Sequence, residues 1–256
     1  MDILRKTAER HGFACLLHEK PFYGINGSGK HNNYSIITDD GQNLFDPGKK
    51  PAENIRFLTF MCAFIEAVDN YALLLRLSAS SAGNDHRLGA HEAPPAIISI
   101  YLGSYIEDIL FSLYQDHPSI RKDASTVDFT PLTNLAYIPH DNADRNRTSP
   151  LAFTGNKFEF RMLGSSMSAS FSNTVLNAIM AESLNGIAKQ LEGIKYLQDV
   201  REKALNICRQ MIHDHKRILF SGDGYSEEWV KEAERRGLPN VTSYIEATQV
   251  LKDPKV

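Results

Sequence analysis

The feature that most constrains the fold is a long apolar segment, residues 53–77, that contains neither glycine nor proline. Strands rarely exceed about ten residues, so a segment of this length predicts a helix. Because apolar residues would lie all round that helix, we expect it to be mostly buried. Residues 94–114 predict a second apolar helix opened by two prolines, and residues 168–215 predict a long helical zone with a break near Gly193.

Three shorter segments predict β-strands, because they are compact and apolar or alternate in polarity. These are residues 13–18, 31–38 and 157–162. In the third segment Glu159 and Arg161 share one face, and the apolar residues at the alternate positions would face the core. The prediction is an α+β fold, in which an antiparallel sheet forms the floor of a site and long helices pack against it.

The order of these segments suggests two regions. We expect residues 1–167 to contain the sheet and the site, and residues 168–256 to form a helical region packed on it. Residues 1–11 predict a short helix, and a second short helix follows Ser226, which is a good N-cap. The loops are expected at residues 21–29, 78–91 and 116–150.

Composition narrows the classes of function. The formal net charge is −3, so there is no overall basic field and we expect no nucleic-acid partner. No apolar run approaches the roughly 20 residues that span a bilayer, so we expect no membrane association. The three cysteines lie far apart in the sequence and form no metal-binding pair, which favours a reduced cytoplasmic setting.

The first candidate site segment is Asn26-Gly27-Ser28-Gly29-Lys30-His31-Asn32-Asn33. Two glycines around a serine allow backbone amides to turn towards an anion, and a histidine at the start of a strand can offer a ring nitrogen to a metal. A tight hairpin loop with a surface histidine explains the same residues. The spacing is not that of a P-loop, which needs GxxxxGK before a helix.

A second segment runs from Arg87 to Glu92 and then to two prolines. A loop that ends in a carboxylate before a proline-locked helix start could close over a site. A charged cap that interacts with the helix dipole is the simpler explanation of Glu92. The sequence around His91 does not continue to HExxH, so a zinc-protease site is excluded.

Two further segments carry arginine. Arg147 is followed by hydroxyl residues, and a guanidinium group matches phosphate oxygens, although a solvated loop arginine is the simpler alternative. Glu159 and Arg161 either pair with neighbouring side chains or line a site for a metal and an anionic substrate. The residues alone leave both alternatives open.

Taken in order, these four segments resemble the active-site series of glutamine synthetases. The type III class in particular is resembled by three segments of the sequence: residues 24–33, Leu163-Gly164-Ser165-Ser166 and residues 222–229. The resemblance covers nearly the whole chain and implies the C-terminal part of the catalytic domain. It also implies ATP-dependent ligation of ammonia to glutamate through γ-glutamyl phosphate, in a cytoplasmic homo-oligomer.

The resemblance implies a role for each matching residue. His31 and Glu159 would ligate one of at least two Mg²⁺ or Mn²⁺ ions. The substrate glutamate would be held by Asn26, Gly27, Arg87 and Arg161, with Arg87 on its α-carboxylate and Arg161 on its γ-carboxylate. The catalytic residues would be Glu92, which takes a proton from ammonium, and Arg147, which contacts the transferred phosphoryl group. Nucleotide contacts fall on Asn33, Ser35 and Arg147, although Asn33 stands where type I enzymes have histidine.

The family site needs further metal-binding glutamates upstream of the matched region and residues from a neighbouring subunit. We therefore expect this chain to be a fragment that is inactive alone. Two alternatives stay open: a related γ-glutamyl-amine ligase or guanidino kinase of similar architecture, and a non-catalytic partner subunit of a synthetase oligomer.

Overall fold

The computed structural model describes residues 1–89, 93–115 and 148–254. The helices are α1 Asp2–Arg10, α2 Ile55–Asn70, α3 Ala72–Ser78, α4 Ala82–Arg87, α5 Ser104–Gln115, α6 Ser170–Leu191, α7 Leu197–His215, α8 Glu227–Arg235 and α9 Tyr244–Ala247. The strands are β1 Gly29–Tyr34, β2 Ile100–Tyr101, β3 Leu151–Phe153 and β4 Phe158–Gly164. This mixture of helices and one sheet confirms the α+β class.

The sheet has the strand order β1-β4-β3-β2. Strand β4 pairs antiparallel with both β1 and β3, as expected, whereas β2 adds a parallel pair with β3. Within the described residues β1 has a sheet partner on one side only, and most of its residues are exposed or half-buried. The sheet therefore presents β1 and the adjoining face of β4 at its accessible side.

The other face of β4 forms the centre of the hydrophobic core. Phe158, Phe160 and Met162 are fully buried, which confirms the prediction from their alternation. Phe158 stacks on Phe64 of α2 with 3.8 Å between ring centroids. Helix α2 in turn packs against α6 and α7, and residues of all three helices belong to the same core cluster as this face. Burying each phenylalanine contributes about 1.5–3 kcal/mol, and this contribution holds β4 and the side chains of its opposite face in place.

The predicted single helix over residues 53–77 is wrong in one respect, because the chain breaks at Tyr71. Helices α2 and α3 meet at an angle of 78°. Asn70 and Tyr71 have low helix propensity, and the bend allows α3 to pack against α9. The predicted burial is confirmed along most of both helices. Within the described residues no single helix is long and apolar enough to cross a membrane, and only the bent pair α2 and α3 passes that test together.

Three other expectations are wrong in whole or in part. Residues 94–103 are not helical: the β-branched run around Ile97 and Ile98 is extended and enters β2, and the helix starts only at Ser104. Residues 13–18 form no strand, and Phe13 is 71% exposed, because no neighbouring strand within the described residues pairs with this segment. The predicted loop 78–91 contains the short helix α4, which begins after its N-cap Ser81.

Other expectations are confirmed. The helical zone after residue 168 is two helices, α6 and α7, with Gly193 between them at φ 80°. Ser226 caps α8 by accepting a hydrogen bond from the Trp229 amide. The division of the chain at residues 167 and 168 stays a prediction.

Candidate functional site

The site is built around an irregularity where β1 pairs with β4. Lys30 pairs with Leu163 and Asn32 pairs with Phe160, so His31 faces two residues of β4 rather than one. Such bulges redirect side chains and are common beside active sites. Asn33 pairs with Glu159, so alternation along β1 places His31 on the same face as Glu159, and its Nδ1 atom lies 3.2 Å from Oε1 of Glu159.

This histidine and carboxylate have the character of metal ligands. The Glu159 side chain is 13% exposed and that of His31 is 50% exposed, so the pair lies at the rim of the sheet with one side open. The second carboxylate oxygen of Glu159, Oε2, is buried and has no hydrogen-bond partner among the described residues. A buried carboxylate oxygen usually has a partner, and a cation beside His31 would supply one.

The two residues account for only part of a metal site. No group of three or more histidine, cysteine, aspartate or glutamate side chains comes together within the residues that the structure describes. Mg²⁺ is coordinated octahedrally by six atoms, most of them oxygen, and several of these commonly come from water or substrate phosphate. His31 and Glu159 therefore fit a divalent cation as two members of a larger ligand set.

Arg87 packs against residues 26–29, here called the glycine loop. Its guanidinium is buried and donates from Nη1 to Oδ1 of Asn84 at 3.1 Å and to the carbonyl oxygen of Met162 at 3.1 Å. A Cβ atom at Gly27 would lie 2.8 Å from Cγ of Arg87, and one at Gly29 would lie 1.9 Å from Nη2. Only glycine fits at these two positions while Arg87 keeps this place, which explains the G-x-G spacing.

The charge of Arg87 is compensated weakly. Burial lowers the pKa of its guanidinium, and the charges of Tyr225 and Glu19 act in the opposite direction. The hydrogen-bond acceptors that surround it on α4 and β4 are neutral amide and carbonyl oxygens. A buried cation in such surroundings favours an anionic ligand nearby.

Arg161 is on the same face of β4 as Glu159 and is 2% exposed. Its Nη2 atom donates to the carbonyl oxygen of Ser149, and its backbone carbonyl accepts from Nη2 of Arg87 at 3.4 Å. The hydroxyl of Ser149 is also fixed, because it accepts from Ser99 at 2.8 Å and donates to the Phe220 carbonyl. The two arginines predicted to bind one substrate thus meet at β4.

Comparison with known proteins agrees with this geometry. The family model described as "Glutamine synthetase, catalytic domain" matches residues 2–98, and that described as "Glutamine synthetase C-terminal domain" matches residues 203–256. "Type-3 glutamine synthetase" of Dictyostelium discoideum is 48% identical over 100% of this chain. The chain belongs to the glutamine synthetase family.

Other relatives support the same family. Proteins named "Glutamine synthetase" from Butyrivibrio fibrisolvens and Bacteroides fragilis are 48% and 45% identical over 94% and 96% of this chain. The chain spans about a third of the length of these curated relatives, 35%, 34% and 34%. The solved structure titled "Apo GmaS without ligand" has a TM-score of 0.41 at 14% identity, covering 98% of this chain and 48% of that chain. The fold assignment does not depend on that loose overlap.

The residues that the glutamine synthetase resemblance singled out fall into three groups. Those that the structure brings together around β1 and β4 are Gly27, His31, Arg87, Glu159 and Arg161. Asn26 is exposed in the loop before β1, Asn33 lies opposite Glu159 in the β1–β4 register, and Ser35 is exposed just after β1. Glu92 and Arg147 lie outside the described residues. The assigned roles stay predictions.

Sequence reasoning missed Glu19, which is buried at the edge of this cluster. Its Oε1 atom accepts hydrogen bonds from the backbone amide of Ser166, at 3.0 Å, and from the Ser166 hydroxyl. Its backbone carbonyl accepts from the Ser28 amide at 2.7 Å. Burial raises the pKa of this carboxyl, but the hydrogen bonds from Ser166 outweigh burial and hold the pKa below its ordinary value.

Glu19 therefore joins the glycine loop to the end of β4. The only available signal was a carboxylate directly after residues 13–18, the apolar segment that we interpreted as a strand. The residue has no partner that local spacing reveals, because Ser166 is 147 positions away in the sequence.

Proposed function

We propose that this chain provides part of the active site of a glutamine synthetase, which ligates ammonia to glutamate at the expense of ATP. The observation that carries the proposal is the His31–Glu159 pair at the β1–β4 bulge, in which one carboxylate oxygen lies 3.2 Å from the imidazole and the other is buried without a hydrogen-bond partner among the described residues. The membership of the family supports this reaction class. The relatives named glutamine synthetase support ammonium and glutamate as the substrates.

His31 and Glu159 would hold a divalent cation, Mg²⁺ or Mn²⁺. When bound, this ion neutralises phosphate charge and polarises the transferred phosphoryl group. The imidazole of His31 must be neutral to ligate a metal, and the carboxylate of Glu159 must be ionised. Asn33, Ser35 and Arg147 would contact the nucleotide that carries the phosphoryl group.

The substrate glutamate would lie along the glycine loop. The backbone of Gly27 and the Asn26 side chain would contact its polar groups, and Arg87 would attract its α-carboxylate. Arg161 would face the γ-carboxylate, where negative charge must be stabilised during phosphoryl transfer. A guanidinium that is buried and already oriented loses little conformational entropy when substrate binds, so its position favours this role.

The reaction needs two steps because a carboxylate is a poor acylating group. Transfer of the terminal phosphoryl group of ATP to the γ-carboxylate gives γ-glutamyl phosphate and ADP, and Arg147 would stabilise the charge on that group. Ammonia then attacks the carbonyl carbon and phosphate leaves. Glu92 would accept the proton that ammonium must lose, and the loop that carries it would exclude water from the acyl phosphate.

The complete site would require further carboxylate ligands, because two protein ligands are few for a catalytic cation. We propose that these ligands belong to a preceding part of the same protein and to a neighbouring subunit of a cytoplasmic homo-oligomer. The chain alone would then be inactive. In the alternative, the chain is a non-catalytic partner that assembles with full-length subunits through the helical region after Ser168 and has no turnover.

The test is phosphate release that depends on ATP, glutamate and an amine acceptor. It uses this chain and an extended protein, in which the preceding part of a type-3 glutamine synthetase is joined to its N-terminus. We expect release only by the extended protein and only with ammonium. Release with alkylamines but not ammonium would favour a γ-glutamyl-amine ligase, and no release from either protein would favour the non-catalytic subunit.

A further inference from the structure

A buried ion pair connects residues 241–244, here called the C-terminal segment, to helix α4. Arg76 of α3 is 1% exposed, and its Nη2 atom lies 3.2 Å from Oδ1 of Asp85 on α4. The remaining donors of Arg76 are used as well: Nε donates to the Val241 carbonyl at 2.8 Å and Nη1 donates to the Ser80 hydroxyl at 2.7 Å.

Asp85 is held from the other side by the start of α9. Its Oδ2 atom accepts a hydrogen bond of 2.7 Å from the backbone amide of Tyr244. The carboxylate therefore links α3, which carries Arg76, to the segment between Val241 and Tyr244. Hydrogen bonds to a charged acceptor are stronger than neutral ones, and the Arg76–Asp85 pair is largely shielded from water, so this pair resists opening. The Tyr244 contact lies at the exposed surface.

Helix α4 carries Arg87, which we place in the glutamate site. Asn84 on the same helix is fully buried, and its Nδ2 atom donates to the carbonyl oxygens of Ala79 at 2.6 Å and Met162 at 2.7 Å. Asn84 and Arg87 thus attach one side of α4 to β4, while Asp85 attaches the other side to the C-terminal segment. A six-residue helix has little stability of its own, so its position depends on these attachments.

We propose that residues 241–244 position Arg87 for glutamate binding through Asp85. The proposal rests on the proposed function for its substrate, but the mechanical link from Tyr244 to α4 is independent of that function. Asp85 and Arg76 are positioning residues, since neither touches the site. The C-terminal segment thereby controls the orientation of an arginine more than 150 positions away in the sequence.

A substitution at Tyr244 can remove the backbone N–H that Asp85 accepts without disturbing the local backbone conformation. It is the first residue of α9, where proline is well tolerated, and Ser243 before it has the extended conformation that a following proline prefers. Tyr244→Pro removes the N–H that Asp85 accepts. Tyr244→Ala removes the half-exposed side chain and keeps that N–H, so it is the matched control.

The first measurement is hydrogen–deuterium exchange of the full chain. Tyr244→Pro should accelerate exchange of the α4 amides about tenfold relative to the Tyr244→Ala variant, while exchange in α8 stays unchanged. Equal exchange of α4 in the two variants would overturn the proposal. Acceleration throughout the chain would also overturn it, because the variant would then have lost general stability rather than one link.

The second measurement is steady-state kinetics of the extended protein. Tyr244→Pro should raise KM for glutamate about three- to tenfold over Tyr244→Ala and change KM for ATP much less. Equal changes in both KM values, or an effect on kcat alone, would show that the link does not position Arg87. If the unaltered extended protein has no glutamate-dependent turnover, the proposed function fails, and exchange in α4 still decides whether the link exists.

Discussion

The carboxyl side chain of Glu19 occupies the space beside Gly164 in which a Cβ atom would lie. A Cβ at Gly164 would be 2.6 Å from Cγ of Glu19 and 3.0 Å from its Oε1. Because Oε1 also accepts two hydrogen bonds from Ser166, the carboxyl group cannot move away without losing them. The end of β4 and the segment that leads to the glycine loop are thus packed against one another without spare volume.

The substitution Gly164→Ala should destabilise the chain by about 1–3 kcal/mol, because it forces Glu19 out of its place. Urea unfolding followed by circular dichroism measures the change. Gly186→Ala is the matched control, since a Cβ at Gly186 meets nothing within 4 Å and this helical position should gain up to about 1 kcal/mol. Equal effects of the two substitutions would show that Glu19 does not constrain Gly164.

The stability contributed by Glu19 should depend on pH. Its folded-state pKa lies below the ordinary value of 4.5, so its ionised form is stabilised by folding. This contribution is present above about pH 4.5 and is lost as pH falls through the lower, folded-state pKa. The excess free energy of unfolding of the unaltered chain over Glu19→Gln should therefore shrink between pH 7 and pH 3.5. A difference that is constant or grows towards acid pH would contradict the hydrogen-bonded carboxylate.

The proposed metal ligands predict a loss of cation affinity. His31→Ala and Glu159→Gln should each weaken Mn²⁺ binding by the extended protein at least about tenfold, since even removal of groups that only support ligands has such an effect. Electron paramagnetic resonance of free Mn²⁺ measures the titration. His213→Ala is the control, because His213 also lies beside a carboxylate, Asp214 at 2.7 Å, but outside the site. Unchanged binding in His31→Ala would remove it from the ligand set.

The core beneath the site should be sensitive to truncation. Phe158→Ala removes a fully buried ring that stacks on Phe64, and should cost about 3–5 kcal/mol. Phe171→Ala, at a position 47% exposed on α6, should change stability by less than about 0.5 kcal/mol. Chemical unfolding of the two variants compares them directly, and similar losses would mean that β4 does not anchor on α2.

The parts of this fold that sequence predicts well are those with a strong period or a strong cap. The alternation along residues 157–162 correctly placed Glu159 and Arg161 on the face opposite the core, and Ser226 correctly marked the start of α8. Local chemistry decides these features. The bend at Tyr71 is different, because it depends on what α3 packs against after the break.

Two errors have the same origin. Residues 13–18 have the composition of a buried strand, but composition cannot say whether a neighbouring strand is available to pair with them. Residues 94–103 begin with two prolines that suit a helix start, yet the β-branched residues that follow favour an extended chain beside β3. In both segments tertiary pairing decides between alternatives that local sequence allows.

The candidate site could be predicted only from several motifs taken together. His31, Arg87 and Glu159 are each ambiguous alone, but their order in the chain predicts that they belong to one site. The structure brings these residues together around β1 and β4. The contacts of Glu19 with Ser166 and of Asp85 with Tyr244 were not predicted, because the partners lie 147 and 159 positions apart in the sequence and follow no spacing rule.

The central claim is that these residues belong to a site that makes glutamine. The most direct test is to incubate the extended protein with ATP, glutamate and ¹⁵N-ammonium, and to detect labelled glutamine by mass spectrometry. The account predicts one labelled glutamine for each phosphate released, and loss of both in the Glu159→Gln variant. Phosphate release without labelled glutamine, or labelled glutamine that is unaffected by Glu159→Gln, would contradict it.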